Sequence, residues 1–409
     1  MDSVVIIGAG QTGGQAAITL REAGFRGRVV LIGNEPHVPY ARTPLSADVL
    51  SGQRTPESCF MHDAAFYAAY GVELRLGRRA VALDRAARTV RLDDGTALSY
   101  GALLLATGTS PKRLEVPGVD LPGVSPLRTL DQAAILRAGL TRARRVVVVG
   151  GGWVGLQAAA SAHALGCQVT VIEREEHLLR RVAPPEVALI VRTFHATRGI
   201  RILCNVAASA FEASPDGTLA AVHTHDGRRL PADVAILAIG AVPDTRLALA
   251  AGLATEDGVL VDARGQTSDP AIYAAGDCTR FYCPPLGRTV RLESWRNARL
   301  QAVAVGRALA GDPHAAFADV PSLHSNQGPD LQVDIVGAPE RWDQVMARGA
   351  PWVPSCTLAI LDHDVVVGVA TFNRPDDVAP AEALIRARAK PSPRALLDPT
   401  VPLWDLVPR

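Results

Sequence analysis

The hydrophobic pattern is dominated by a unit that occurs twice. Val4–Ile7 is a short, unbroken apolar run, as suits a parallel strand buried on both faces. Gly8-Ala9-Gly10-Gln11-Thr12-Gly13 follows, then a helical stretch from Gly14 to Ala23, a second apolar run Val29–Ile32, and the pair Asn34-Glu35. The second copy begins at Arg145–Val149. It continues through Gly150-Gly151-Gly152-Trp153-Val154-Gly155, a helical stretch Leu156–Leu165 and a strand Val169–Ile172, and it closes on Glu173. Each copy reads strand, G-x-G-x-x-G, helix, strand, acid, which is the full context of a dinucleotide-binding fingerprint.

Each position in the fingerprint has a physical role. Gly8 and Gly150 permit the tight turn, Gly10 and Gly152 let backbone approach a pyrophosphate, and Gly13 and Gly155 let helix and strand pack closely. The free N–H groups at the helix start then face the phosphate charge. Glu35 or Asn34 is placed to accept from a ribose. Glu173 is placed likewise, and a carboxylate there repels a 2′-phosphate and favours NADH; Arg174 beside it pulls the other way. Two fingerprints imply two dinucleotides, for which FAD and a nicotinamide are the simplest chemistry, or a duplication with one site lost.

The remaining pattern organises the chain. Leu83–Leu98 lies between the two units and carries a turn at Asp93-Asp94-Gly95. Strand Leu103–Ala106 ends in Thr107-Gly108, and strand Val234–Ile239 ends in Gly240. From about Pro321 the texture changes. Leu331–Val336 and a hairpin Thr357–Phe372 around Asp362-His363-Asp364 precede a helix over Pro375–Lys390, with no glycine fingerprint.

Composition narrows the function classes. The chain has 409 residues, 48% hydrophobic and 20% charged, with a net charge of +1, so no global field favours nucleic acid or an anionic membrane. The longest apolar stretch, Val146 to Gly166, is broken by glycines, Gln157 and His163 and makes a poor membrane span. Six scattered cysteines without a C-x-x-C pair give no metal site and point to a reduced, cytoplasmic protein; the N-terminus carries no signal-peptide pattern. His195, His223 and His225 lack a partner pattern and read as surface or ordinary core residues. Arg78-Arg79 and the Arg142, Arg144, Arg145 cluster read as solvated charge rather than a docking patch.

The two fingerprints, the run Tyr40-Ala41-Arg42-Thr43-Pro44-Leu45-Ser46, the Ala106-Thr107-Gly108 strand end and the Tyr273–Asp277 run together resemble the FAD-dependent NAD(P)H:ferredoxin reductases of the putidaredoxin reductase and aromatic-ring dioxygenase type. The resemblance covers nearly the whole chain. It implies an α/β fold of two Rossmann-like domains plus a C-terminal α+β interface domain. The FAD domain would be discontinuous, 1–110 and 241–320; the NAD domain would be 111–240 and the interface domain 321–409. It also implies FAD contacts from Gly8, Gly10, Thr12, Gly13, Asn34, Glu35, Arg42, Ala47, Val81, Ala106, Thr107, Gly108, Arg128, Asp277 and Trp295, with Asp277 at a helix start on the ribityl chain. The NAD contacts would be Gly150, Gly152, Trp153, Val154, Gly155, Gln157, Glu173 and Gly240. Trp153 would stand on the nicotinamide path, or simply pack helix on sheet. The partner would be a small iron–sulfur ferredoxin feeding a Rieske oxygenase or a cytochrome P450, and the protein a monomer or homodimer.

Two departures touch the chemistry. The family's lysine after Pro-Leu-Ser is Ala47 here, and its glutamate after Gly-Leu is Gln157. Losing one partner would strand a buried charge at roughly 3–5 kcal/mol, so the pair looks removed as a unit. The expected consequence is a less stabilised reduced flavin. No cysteine lies between Tyr40 and Gln53, which excludes the thiol relay of flavin disulfide reductases there. Cys278 and Cys283 follow Asp277 and read as inert rather than redox-active. Three readings result: an NADH:ferredoxin electron-transfer enzyme, an NADH-binding flavoprotein with slow turnover and a sensing role, or an NADH-dependent reductase of a small acceptor.

Overall fold

The structure, a computed structural model, describes residues 2–351 and 355–408. The chain divides into two compact units, each assembled from three separate segments: Met1–Ala41, Cys59–Ser110 and Val242–Pro321 in one, and Arg42–Ser58, Pro111–Ala241 and Ser322–Arg409 in the other.

The first unit is built on a parallel five-stranded sheet. Ser3–Ile7 lies at its centre, flanked by Arg28–Gly33 and then Val72–Leu76 on one side, and by Ala102–Leu105 and then Ile272–Ala274 on the other. The apolar runs follow from this position. Val4 and Ile6 enter a core beneath the Gln11–Glu22 and Trp295–Leu309 helices, while Val5 and Ile7 enter a second core on the opposite face with Val30, Leu103 and Leu105. An antiparallel three-stranded sheet, Ala80–Asp84, Thr89–Leu92 and Ala97–Ser99, occupies the stretch around the Asp93-Asp94-Gly95 turn.

The second unit repeats the parallel theme. Arg145–Val149 is central, between Gln168–Glu173 with Arg201–Cys204 beyond it, and Val234–Leu237 with Val124–Pro126 beyond it. The same unit holds the C-terminal antiparallel sheet, ordered Ser322–Asn326, Gln332–Gly337, Val365–Phe372, Ser355–Asp362, Gln344–Ala350. His363 and Asp364 both take positive φ, 49° and 65°, which is the two-residue turn that matches strand twist.

The observed element ends differ from the sequence expectation in consistent ways. Both fingerprint helices start earlier, at Gln11 and Trp153, inside the glycine motif, because the last glycine packs as a helical residue. The C-terminal helix is shorter, Val378–Arg386, preceded by a 3-10 turn over Pro375–Asp377. Among the described residues no helix is long and apolar enough to cross a membrane.

Candidate functional site

The two glycine loops are built by the same bonds. Gly8 N donates to Ile32 O at 2.8 Å and Gly150 N to Ile172 O at 2.8 Å; Ala106 N donates to Ile7 O and Ala238 N to Val149 O, both at 2.8 Å. Gly8 sits at φ +115° and Gly150 at φ +112°. A Cβ on Gly8 would lie 2.1 Å from Ala106 O, and one on Gly150 2.4 Å from Ala238 O. Gly13 and Gly155 pack on the carbonyls of Gly8 and Gly150, where a Cβ would come within 1.9 and 2.1 Å. Only glycine meets both demands. The middle glycines behave oppositely: a Cβ on Gly10 or Gly152 would meet nothing within 4 Å. Gly10 and Gly152 also cap their helices without a side-chain hydrogen bond. Each loop therefore combines open space with free N–H groups at a helix start, which fits a pyrophosphate.

In the first unit the loop gathers several of the expected residues. Ala106 and Thr107 back Gly8, and Thr107 Oγ1 donates to Asp244 O at 2.6 Å. The Gly276-Asp277 turn abuts Thr12, whose Oγ1 would lie 2.3 Å from a Cβ on Gly276. Asp277 stands in that turn, before the Thr279–Cys283 strand, and not at a helix start; Gly276 at φ +84° turns the chain back into a strand. Gln301, wholly buried on the Trp295–Leu309 helix, accepts from Gly276 N at 2.6 Å and braces the turn. Glu35 accepts the buried Tyr40 hydroxyl at 2.6 Å, which orients its carboxylate after the second strand; Asn34 beside it is exposed. Val81 and Trp295 are exposed, on the Ala80–Asp84 strand and at the start of the Trp295–Leu309 helix, and their place at a flavin rests on the resemblance alone.

In the second unit Glu173 closes its strand with both carboxylate oxygens occupied. Gly151 N donates to Oε2 at 2.7 Å and Glu175 N to Oε1 at 3.0 Å, which fixes the acceptor beside the loop. Gly240, at φ +98°, lies under the Arg181 guanidinium. Val154 is exposed, and Trp153 keeps its indole Nε1 buried without a hydrogen-bond partner.

Arg42, Ala47 and Arg128 belong to this second unit. Arg42 Nη1 donates to Arg128 O at 2.8 Å, so the two arginines are neighbours. The two departures are brought together as well. Ser46 donates to Gln157 Oε1 at 2.7 Å, and Ser161 Oγ lies 2.9 Å from Ser46 O and 3.1 Å from Ala47 O.

Other candidates resolve differently. His223, read as partnerless, pairs with Glu212 at 2.6 Å across two adjacent strands. His195 is a core residue bonded to Gln327. Arg78 pairs with Asp94 and Arg145 with Asp233. Cys278 is buried with its Sγ against the Leu105 and Ala275 carbonyls, and burial raises its pKa, which keeps it a thiol. Neither Tyr40, inside the Tyr40–Ser46 run, nor Gln301 carries a sequence signal for its bond to Glu35 or to the Gly276 turn. A lone glutamine on a helix, far in sequence from the turn it braces, carries no signal.

Comparison with known proteins agrees with this geometry. Residues 2–302 match the pyridine nucleotide-disulphide oxidoreductase family and residues 324–407 the reductase C-terminal family. The chain is 40% identical over 405 residues to the ferredoxin–NAD(+) reductase component of the anthranilate 1,2-dioxygenase system of Burkholderia cepacia, covering 98% of each. It is 36% identical to putidaredoxin reductase of Pseudomonas putida, covering 99% of this chain and 97% of that one. Among solved structures, the covalent putidaredoxin reductase–putidaredoxin complex matches with a TM-score of 0.95 at 36% identity, over 99% of this chain and 98% of that one. The ferredoxin reductase of the CYP199A2 system from Rhodopseudomonas palustris matches with a TM-score of 0.95 at 35% identity, over all of both chains. The chain belongs to the pyridine nucleotide-disulphide oxidoreductase family, in the branch formed by the ferredoxin reductases.

Proposed function

We propose that this protein is an FAD-dependent NADH:ferredoxin reductase that feeds a Rieske oxygenase or a cytochrome P450. The observation that carries the reading is the pair of matching glycine loops, each open at its middle glycine and each opening an uncapped helix. End-to-end likeness to reductases of dioxygenase and P450 systems supports the choice of partner. FAD supplies the ability to take a hydride as an electron pair and to release electrons singly.

The chain's own residues divide the work. Gly8, Gly10, Thr12 and Gly13 hold the FAD pyrophosphate, Asn34 and Glu35 the adenosine ribose, Ala106–Gly108 and Asp277 the ribityl side, with Arg42, Ala47, Val81, Arg128 and Trp295 completing the flavin surroundings. Gly150, Gly152 and Gly155 hold the nicotinamide dinucleotide, with Trp153, Val154, Gln157 and Gly240 around it. Glu173, held by two backbone N–H groups, accepts from a ribose diol and disfavours a 2′-phosphate. On this reading 1–110 with 241–320 is the FAD domain, 111–240 the NAD domain and 321–409 the interface domain. Six free cysteines fit a reduced, cytoplasmic setting.

An anaerobic NADH titration followed by flavin absorbance tests the reading. The flavin bleaches and an added ferredoxin reoxidises it. Bound FAD that NADH leaves oxidised overturns the reading, and the neutral Ala47–Gln157 site then favours a binding or sensing role.

A further inference from the structure

The side chain at position 157 has three neighbours that a carboxylate cannot serve together. Its Oε1 accepts the Ser46 hydroxyl at 2.7 Å, while its Nε2 donates to Ser325 Oγ and to the Asn326 carbonyl, both at 3.0 Å. A carbonyl only accepts, so the NH2 end must face Asn326, and this fixes the orientation of the amide. The neighbours come from distant stretches of chain: the turn after Pro44-Leu45, and the Ser322–Asn326 strand, with Gln157 on the Trp153–Ala164 helix between them. One helical turn further on, Ser161 bonds to the same turn's carbonyls. Beyond Ser325 the bonds continue. Gln327 Nε2 donates to Ser325 Oγ at 2.6 Å, and Gln327 Oε1 meets His195 Nε2 at 3.2 Å. Every side chain from Ser46 through Gln157, Ser325 and Gln327 to His195 is uncharged, so this run of hydrogen bonds carries no charge where the resemblance expects an ion pair.

We propose that Gln157 is a positioning residue whose carboxamide holds the Ser46-Ala47 turn against the Trp153–Ala164 helix, doing through directed hydrogen bonds what an ion pair between positions 47 and 157 would do through charge. The proposal rests on the reading that puts Ala47 beside the flavin. It makes one demand: position 157 must accept at one end and donate at the other. Glutamate meets that demand only while protonated. Once ionised, it presents an oxygen to the Asn326 carbonyl and the turn is released.

The test uses the FAD-loaded enzyme and its Gln157→Glu variant, with Gln157→Met as the isostere that bonds to neither side. The Gln157→Glu carboxyl, whose ionised form meets the Asn326 carbonyl, is expected to titrate above the ordinary glutamate value of about 4.3, and below its own pKa the variant keeps the wild-type flavin band. By about pH 8, with that carboxyl ionised, its flavin reduction at saturating NADH slows on the order of tenfold, as expected for a displaced group beside a reacting centre. The visible flavin band shifts over the same pH range, and wild type does neither. Adding Ala47→Lys to Gln157→Glu supplies a counter-charge and flattens the profile. Gln157→Met is slow at every pH. A purely structural role would lower stability without a pH-dependent rate or spectrum. A Gln157→Glu enzyme whose rate and flavin band equal wild type at every pH, with the carboxyl ionised, overturns the proposal. If NADH fails to reduce even the wild-type flavin, the functional reading falls, while the pH titration of the flavin band still decides the role of Gln157.

Discussion

Acid should strip stability from the second unit through a single imidazole. His195 is wholly buried on the Pro185–Thr197 helix; its Nε2 is bonded to Gln327 at 3.2 Å and its Nδ1 has no hydrogen-bond partner. Because Gln327 must use its NH2 on Ser325, its Oε1 faces His195 as an acceptor and the imidazole donates. Burial holds the His195 pKa down from 6.5 to about 4, against the Gln327 bond, which pulls it up, and with Arg198 adding to the depression. The sign follows from which state takes the proton. Below about pH 6.5 the unfolded chain protonates this imidazole while the folded one refuses, so stability is complete above that value and drains away as pH falls toward 4. At about 1.4 kcal/mol per pH unit the whole window is worth about 3 kcal/mol. Urea unfolding of wild type and His195→Gln across the window reads this directly, because the carboxylates common to both cancel in the difference. Wild type should lose about 3 kcal/mol more than the variant between pH 6.5 and 4. Parallel losses in the two proteins, or an imidazole C2–H resonance titrating near 6.5 in the folded state, would refute the reasoning.

Three further outcomes are expected. Gly10→Ala should fold normally, since its Cβ meets nothing, yet retain FAD poorly after gel filtration. Gly8→Ala, driven into Ala106 O, should lose thermal stability as well; equal melting temperatures would contradict the assignment of turn and cradle. Glu173→Ala should raise the NADPH-to-NADH ratio of kcat/KM and also loosen the Gly151 loop, and an unchanged ratio would remove Glu173 from ribose recognition. Arg348 is buried and donates to the carbonyls of Ala395, Leu396, Asp398 and Val401, so Arg348→Met should cost about 2–4 kcal/mol and open the segment beyond Ala395 to limited proteolysis; a cleavage pattern like wild type would deny the clamp.

What the sequence disclosed and what it hid have physical reasons. Gly8, Gly13, Gly150 and Gly155 were legible because backbone crowding admits no other residue, and the unbroken runs Val4–Ile7 and Val146–Val149 because strands buried on both faces leave no polar position. Val72–Leu76 was not legible: at the sheet edge its Glu73 and Arg75 face partly outward, and V-E-L-R-L reads as well for a surface strand anywhere. Asp277 was expected at a helix start and stands in a turn, since Gly276 permits a turn that the sequence around it does not announce. The partners of Gln157 lie 111 and 168 residues away, and those of Gln301 on a different element altogether. Local pattern carries no information over such separations. The departures at Ala47 and Gln157 could therefore be read against the resemblance, whereas the hydrogen bonds of Gln157 could not.

The segmented build of the first unit has a consequence for synthesis. Its parallel sheet is closed by Ile272–Ala274 pairing with Ala102–Leu105, and Ala275 N then donates to Leu105 O. The ribosome must add some 170 residues between those two strands, so until then the Ala102–Leu105 strand keeps an open hydrogen-bonding edge. Arg145–Val149, Gln168–Glu173, Arg201–Cys204 and Val234–Leu237 emerge within that interval and can pair at once. The nascent chain thus completes its second parallel sheet before its first, and an arrest before Ile272 leaves that finished sheet joined to an unclosed, aggregation-prone one.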